Sequence, residues 1–239
     1  MKFIRKLLII VIILLISIAS IVALSGYAYY SSKLKEKPLV TRVQEITNKE
    51  HFVKFSDMST YYRNAVISVE DHRYYDHGPV DFIAIGRALF TNVKNGKLQE
   101  GGSTITQQVA KNVVFSQEQT WLRKVGEIFA AYDLEKNLNK DTILELYLNT
   151  SYFGDGYYCV AEASRGYYKK EPKDMNRNEA SMLAGIPNAP SAYCPTKHLD
   201  LAKKRQNQVL DKMVRYEFIT AKEKEEILNE SNAVEDNKD

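Results

Sequence analysis

The feature that most constrains this chain is an uncharged apolar run near its start, from Leu7 to Leu24. A helix needs about 20 mostly apolar residues to cross the hydrocarbon core of a membrane, whereas the apolar region of a cleaved signal peptide is about 7–15 residues long. Tyr27, Tyr29 and Tyr30 follow directly, as is common at a membrane interface. The sequence therefore predicts a single membrane anchor over residues 7–30 that stays attached to the protein.

Charge is balanced in the rest of the chain. The formal net charge is +3, and Lys2, Arg5 and Lys6 account for all of it. A chain without a basic excess has no general attraction for nucleic acid, so we exclude nucleic acid as a partner. The positive charges leave the orientation of the anchor open, because lysines between residues 33 and 37 lie on its other side.

The spacing of apolar residues predicts a mainly α fold. Roughly 200 residues follow the anchor, which is enough for one domain with a buried core. Apolar positions recur at helical spacing in several segments. In the first, Asp81–Asn95, one face carries Phe82, Ile85, Leu89 and Val93, and a glycine follows. The other predicted helices are Trp121–Leu138, Asp141–Leu148, Glu179–Ala184 and Leu201–Val214.

Composition suggests how the chain is divided. Residues 1–6 precede the anchor, and residues 31–54 are expected to form a linker beside the membrane, with residues 38–55 extended or irregular. Residues 55–220 form the predicted domain. Residues 221–239 are an acidic, polar tail, and its last ten residues are expected to fray.

Only two cysteines occur, Cys159 and Cys194, and neither belongs to a zinc-binding spacing. This excludes a structural zinc site. Whether the two cysteines pair in a disulfide stays open, because separation in sequence does not give the distance between them.

A glycine-rich stretch, EGGSTITQQVAKN from Glu100 to Asn112, leads into another helix. Thr104 and Gln107 have the spacing of a capping box, which by itself would explain the pattern. The start of a helix also presents free backbone N–H groups and a positive dipole end to an anion such as phosphate. Thr104, Gln107, Gln108 and Lys111 share one helix face, so the segment is a candidate anion site.

The motif RKVGE, from Arg123 to Glu127, lies inside the helix predicted to start at Trp121. Arg123 and Glu127 are four residues apart and would form an exposed ion pair worth about 0.2–0.5 kcal/mol. Alternatively, Arg123 and Lys124 bind phosphate, with Glu127 beside them. The spacing does not decide between these two interpretations.

The stretch EDHRYYDH, from Glu70 to His77, follows an apolar run. If a helix runs from Met58 or Ser59 to Val69, Glu70 lies at its C-terminal end. There the helix dipole disfavours a charged carboxylate, which suits a general base. The alternative is an ordinary polar helix end with its histidines at the surface. For this stretch alone, the ordinary helix end is the favoured interpretation.

Taken together, these motifs resemble the peptidoglycan glycosyltransferases. EDHRYYDHGPVD, GGSTITQQVAKN, RKVGE and KDTILELYLNTSYFGDG occur in the order seen in that family, and the likeness runs from about Phe55 to Met213. The family has a lysozyme-like helical fold and polymerises the cell-wall precursor lipid II. The length of the chain is similar to that of monofunctional members, which carry no transpeptidase domain. The resemblance favours chemistry for all three motifs.

The resemblance also implies residue roles. Glu70 falls on the family's catalytic general base and Glu127 on its second functional carboxylate, while Asp71 and His77 match supporting motif positions. The expected donor and pyrophosphate-binding set is Gly102, Ser103, Thr104, Gln107, Gln108, Lys111, Arg123 and Lys124, of which Thr104 comes from the helix-face argument alone. Three positions depart from the family pattern: Gly78 directly follows the motif histidine, Gln119 stands where a basic residue is frequent, and Cys159 where glycine is common.

The implied reaction is the transfer of a glycan chain. Glu70 would deprotonate the 4-hydroxyl of the GlcNAc of lipid II, and that oxygen would attack C1 of the MurNAc at the reducing end of the growing chain. Undecaprenyl pyrophosphate would leave with inversion of the anomeric carbon. The sequence requires no cofactor, but a divalent cation, Mg²⁺ or Mn²⁺, is an optional participant.

The implied location is the outer face of the cell membrane, where lipid II is polymerised, with a cytoplasmic N-terminus. Other cell-wall synthesis proteins are candidate partners.

The sequence also leaves two alternative functions. A lysozyme-like muramidase would cleave glycan with paired carboxylates but has little need of a pyrophosphate site. A catalytically silent scaffold would have little need of both carboxylates.

Overall fold

The computed structural model describes residues 2–96, 101–115 and 120–235, with side chains described as far as residue 230. Within these ranges the chain forms eleven α-helices and three short 3₁₀ helices, with no strand, which confirms the mainly α fold. The α-helices are α1 (Lys2–Glu36), α2 (Leu39–Thr47), α3 (Thr60–Glu70), α4 (Phe82–Asn95), α5 (Ile105–Val114), α6 (Trp121–Asn137), α7 (Lys140–Thr150), α8 (Val160–Tyr168), α9 (Arg177–Gly185), α10 (Leu199–Arg215) and α11 (Ala221–Glu235).

The helices predicted from apolar spacing are confirmed, and capping residues explain where they begin and end. The side chains of Ser59, Asp81, Thr120 and Asn139 each accept a hydrogen bond from a backbone N–H in the first turn of α3, α4, α6 and α7. Gly96 ends α4 with a φ of 61°, a left-handed conformation that glycine adopts without a steric penalty.

The expectation of extended or irregular chain over residues 38–55 is wrong for Leu39–Thr47, which forms α2. Leu39 is buried, and Val43 and Ile46 pack against the core. These three residues share one helix face, and that face packs on α5 and α7. The helix is only nine residues long, so its stability comes from this packing rather than from intrinsic helix propensity.

Two groups of helices form the body of the protein. In one group α3, α9 and α10 pack against one another, and in the other α5 packs against α6 and α7. Helix α11 packs on α9 and α10 and buries Ile227. Although the last ten residues were expected to fray, the backbone is helical as far as Glu235, and residues 236–239 lie outside the described ranges.

Helix α1 is long and apolar enough to cross a membrane, and none of its most apolar window is buried against the protein. It extends past the predicted anchor to Glu36, and its C-terminal part packs along α6. Helix α1 therefore covers part of the apolar surface of α6. On its other side, α6 packs against the core through the small residues Ala130 and Ala131 and through Leu134.

The apolar face predicted for α4 is present but faces away from the protein. Ala88 is the only residue of this helix that is buried. The exposed fraction of Phe82, Leu89, Phe90 and Val93 lies between 65% and 75%. Exposed apolar surface of this extent is unusual on a soluble protein and indicates a contact with a membrane or a partner.

Candidate active site

A cleft of about 670 Å³ opens between the two helix groups. Residues from α3, α4, α5, α6 and α10 line it, together with the loop before α5 and the short helix after α9. The structure therefore brings the three sequence motifs, separated by up to about fifty residues, into one concave site. Concave sites that gather convergent polar groups are typical of ligand binding.

Glu70 is the last residue of α3 and lies at this cleft with 8% of its side chain exposed. Its Oε2 accepts a hydrogen bond of 2.8 Å from Nε2 of Gln108, and its Oε1 lies 4.0 Å from an Nη atom of Arg205. A carboxylate oxygen has more lone pairs than one such bond uses. The side chain can therefore still accept a proton from a bound hydroxyl.

Asp71 and His77 connect the end of α3 to the start of α5. Oδ2 of Asp71 accepts the backbone N–H of Ile105 at 3.1 Å, and Oδ1 contacts Nε2 of His77 at 2.7 Å. Burial by itself lowers the pKa of His77, but the bonds to Asp71 and to the Gly78 carbonyl outweigh it, so the pKa is raised overall. The pair holds Glu70 and α5 in register, which fits the supporting role expected for both residues.

The loop before α5 reaches the cleft by a close approach to α4. A Cβ on Gly102 would lie 3.1 Å from the Cα of Ile85, so a side chain here would push the loop away. The capping box is present: Thr104 accepts the N–H of Gln107, and the Gln107 side chain accepts the N–H of Thr104. The Thr104 hydroxyl also donates to the Pro79 carbonyl at 2.8 Å, so its side chain is committed to holding the loop.

Glu127 lies in the second turn of α6 and is almost fully buried, with 1% of its side chain exposed. Its Oε1 is 3.1 Å from Nε of Arg123, and its Oε2 accepts a bond of 2.7 Å from Lys124. The Lys124 ammonium also donates to the hydroxyl of Ser103 at 2.8 Å. The ion pair foreseen between Arg123 and Glu127 is therefore formed, but it is buried and belongs to a network that reaches the cleft.

Lys111 lies on α5 and lines the cleft together with Lys124, near enough for their charges to interact. Burial lowers the pKa of Lys111, and the charges of Arg123 and Lys124 act in the same direction, whereas Glu127 and Glu70 oppose them. A half-buried ammonium among other cations is stabilised by an anionic ligand. Lys111, Lys124 and Ser103 thus provide donors for an anion at this end of the cleft.

Helix α10 and α4 contribute residues that the sequence motifs did not single out. Lys212 donates to the carbonyl of Val69 in the last turn of α3 at 3.1 Å, and His72 stacks on Tyr216 with ring centroids 3.9 Å apart.

Positively charged residues outnumber carboxylates among the described residues that line the cleft. The cationic residues are Arg87, Lys111, Lys124, Arg205, Lys212 and Arg215, and the carboxylates are Glu70, Asp71 and Glu127. This excess of positive charge favours an anionic ligand.

Metal binding is poorly supported at this site. Among the residues that the structure describes, Asp71, His77 and Asp81 place potential ligand atoms within 4.8 Å of one another. However, Asp81 is already bound to Arg73 at 2.5 Å and to two N–H groups of α4, and Asp71 is bound to His77 and Ile105. A cation bound by these three residues would have to displace their partners, so Asp71, His77 and Asp81 do not fit a metal ion.

Comparison with known proteins identifies the family. The sequence model of the transglycosylase family matches residues 36–214, which is well over half of the chain. The chain belongs to the transglycosylase family. Penicillin-binding protein 1A of Neisseria lactamica is 44% identical over 182 residues, which cover 76% of this chain and 23% of that protein.

A second relative, penicillin-binding protein 1F of Bacillus subtilis, is 42% identical over 177 residues, which cover 74% of this chain and 25% of that protein. The match thus spans about a quarter of the length of either relative. A crystal structure of penicillin-binding protein 1A from Haemophilus influenzae matches 52% of this chain and 15% of that one, at 27% identity, with a TM-score of 0.37. The family assignment rests on the sequence matches.

The remaining departures from the transglycosylase pattern are local. Cys159 caps α8, where its sulfur accepts the N–H of Glu162, and it is buried. Cys194 is also a buried free thiol, so the two cysteines are unpaired in this structure. Gln119, the position where a basic residue is frequent, lies outside the described residues.

Proposed function

We propose that this protein is a peptidoglycan glycosyltransferase that polymerises lipid II into β-1,4-linked glycan, with release of undecaprenyl pyrophosphate and inversion at the anomeric carbon. The observation that carries this proposal is the arrangement of Glu70 and the Lys111–Lys124–Ser103 group in one cleft. A single displacement needs a base for the attacking hydroxyl and positive charge for the departing diphosphate.

Glu70 is the proposed general base. It would take the proton of the 4-hydroxyl of the acceptor GlcNAc as that oxygen attacks C1 of the donor MurNAc. Gln108 holds Oε2 from one side, and Arg205 lies 4.0 Å from Oε1. Two neighbours on opposite oxygens restrict the rotation of the carboxylate, so the proton acceptor is already oriented before the acceptor sugar binds.

Lys111 and Lys124 are proposed to bind the diphosphate of the donor, and Glu127 to hold its cationic neighbours in place. The contacts of Glu127 with Arg123 and Lys124 support this positioning role. A divalent cation remains an optional addition to the proposal. If removal of Mg²⁺ and Mn²⁺ with a chelator abolished polymerisation, the cationic side chains alone would not suffice for the reaction.

The exposed face of α4 is proposed to contact the lipid bilayer. Gly102 touches Ile85 of α4, Ser103 bonds Lys124, and the next residue, Val125, contacts Gly26 of α1. The face therefore lies close to the point where the apolar part of α1 ends. A membrane-bound donor with a polyprenyl chain would meet a tethered catalytic domain at high effective concentration, with the N-terminus cytoplasmic and the domain outside.

The test is polymerisation of lipid II by the purified full chain in detergent, beside a Glu70→Gln variant. We expect a ladder of glycan products on a gel from the wild type and none from the variant. Polymer from both proteins would retain the function and refute Glu70 as the base. A folded wild type that makes no polymer but shortens preformed glycan would instead support a muramidase.

A further inference from the structure

The part of α1 that follows the apolar run lies directly against α6. Gly26 is buried, and a Cβ at this position would lie 2.6 Å from the Cβ of Val125 and nearer still to one of its methyl groups. A Cβ on Gly126 would lie 3.5 Å from the carbonyl oxygen of Gly26 and 2.9 Å from the Phe115 ring. The two helix backbones can touch here because both residues at the crossing lack a side chain.

Aromatic residues extend this contact surface of α1, called the α1 seat below, to further residues of α6 and to Phe115 at the end of α5. The ring of Tyr27 meets that of Phe129 edge to face, with centroids 5.4 Å apart, and Tyr29 stacks on Phe115 at 5.6 Å. The Tyr30 hydroxyl donates to Asp133 at 2.6 Å, and only 5% of Tyr30 is exposed. A helix that served only as a flexible tether would not need contacts of this kind.

The α1 seat lies on the side of α6 opposite to Glu127. Successive residues of a helix are about 100° apart, so Val125 points roughly 160° away from Glu127 around the axis of α6, whereas Arg123 points to nearly the same side as Glu127. Val125 and Gly126 are the third and fourth residues of RKVGE. The same helix turn therefore contacts the anchor on one side and carries the buried ion pairs of Glu127 on the other.

We propose that the extramembrane part of α1 is a positioning element of the active site, and that its action depends on Gly26. A larger residue at position 26 would separate α1 from α6 and let the turn that carries Glu127 move relative to Glu70. This inference rests on the proposed function for its activity readout. The competing interpretation is a plain tether, for which the size of residue 26 would not matter.

The experiment compares Gly26→Leu with Ala28→Leu in the full chain in detergent. Ala28 is exposed on the same helix, so the variant carries the same leucine side chain without meeting α6. The measurements are kcat and KM for lipid II, and amide hydrogen exchange in residues 121–127 and in α3 and α9. We expect Gly26→Leu to lower kcat at least tenfold and to speed exchange in residues 121–127 alone, while Ala28→Leu stays within twofold of the wild type.

A second variant, Tyr30→Phe, removes the bond to Asp133 with little change in volume. We expect a two- to fivefold lower kcat and faster exchange in α6. Wild-type kcat in Gly26→Leu would overturn the inference, as would exchange that rises equally in α3 and α9, since Gly26 would then support the whole fold. Absence of polymer from the wild type would instead refute the proposed function, and the exchange data would still decide whether α1 orders α6.

Discussion

Gln108 donates a hydrogen bond to Glu70, with Nε2 of the amide 2.8 Å from Oε2 of the carboxylate. The bond joins the first turns of α5 to the last residue of α3. The glycine-rich motif therefore does more than present an anion site, because its helix also fixes the orientation of the proposed base.

Replacing Gln108 with glutamate keeps the shape of the side chain but places a second carboxylate beside Glu70. Two neighbouring carboxylates hold a proton more tightly than one does. We expect the acid limb of the polymerisation rate profile to move to higher pH by about one unit or more. Gln44→Glu, on an exposed position of α2, is the matched control and should leave the profile unchanged. An identical acid limb in Gln108→Glu would show that this contact does not influence the base.

Lys111 should set the alkaline limit of activity. Since burial and the nearby Arg123 and Lys124 lower the pKa of Lys111 below the usual 10.5, its ammonium is lost at lower pH than that of an exposed lysine. Arginine stays charged over the whole accessible range. We therefore expect Lys111→Arg to move the alkaline limb of the rate profile to higher pH, even if the neutral rate falls. The same limb in both proteins would exclude Lys111 as its origin.

Removing the charge of Glu127 should destabilise the fold far more than removing that of an exposed ion pair. Glu127→Gln replaces an almost fully buried carboxylate, which contacts both Arg123 and Lys124, by an uncharged amide, and breaking a buried ion pair costs about 3–5 kcal/mol. Glu171→Gln is the control, because the side chains of Arg165 and Glu171 are 45% and 47% exposed, and such pairs contribute about 0–1 kcal/mol. Urea denaturation measures both. Equal losses would mean that the Glu127 network does not hold α6.

The pair of His77 and Asp71 should make stability depend on pH. The pKa of folded His77 is raised above 6.5, so its contribution is complete below the unfolded pKa of about 6.5 and is lost as pH rises through the folded pKa. We expect the melting temperature to fall over that window in the wild type and to fall less in His77→Gln. His198→Gln, an exposed histidine, is the control. A fall of equal size in His77→Gln would assign the pH dependence to another group.

The α4 face can be tested by one substitution. Phe90 is 70% exposed, and an exposed substitution usually changes stability by no more than about 0.5 kcal/mol. We expect Phe90→Ser to keep its unfolding midpoint but to raise the KM for lipid II in vesicles severalfold, because less apolar surface contacts the bilayer. Tyr158→Ser, 64% exposed on another part of the surface, should have no such effect. An unchanged KM would remove the membrane contact from the proposal.

Two local contacts at the candidate site could be predicted because residues that are neighbours in sequence are also neighbours in the structure. The capping box of Thr104 and Gln107 and the pairing of Arg123 with Glu127 both follow helix spacing. The burial of Glu127 did not follow from spacing, because it depends on helices packed around α6. Helix α2 was not predicted because a segment of nine residues is too short to show a clear helical period of apolar residues.

The contribution of α10 was missed because it depends on the tertiary fold. Arg205 and Lys212 are more than 130 residues from Glu70 and lie beside the end of α3 only because α10 packs on α3. The stretch AKKRQNQVL, residues 202–210, lies within the span of the family likeness, and its dense positive charge was the available signal. A basic run on a helix is usually a solvated surface, so without the packing of α10 on α3 no residue in it could be assigned to the cleft.

The seat of α1 on α6 also determines where the chemistry takes place. Gly26 is two residues past Leu24, a rise of about 3 Å along a helix, and it touches the residue next to Lys124. Under the proposed anchoring, the diphosphate-binding lysine works at the level of the lipid headgroups. The leaving lipid can then diffuse away within the plane of the bilayer, and the sugar strand is the only part of the product that has to move into the aqueous space.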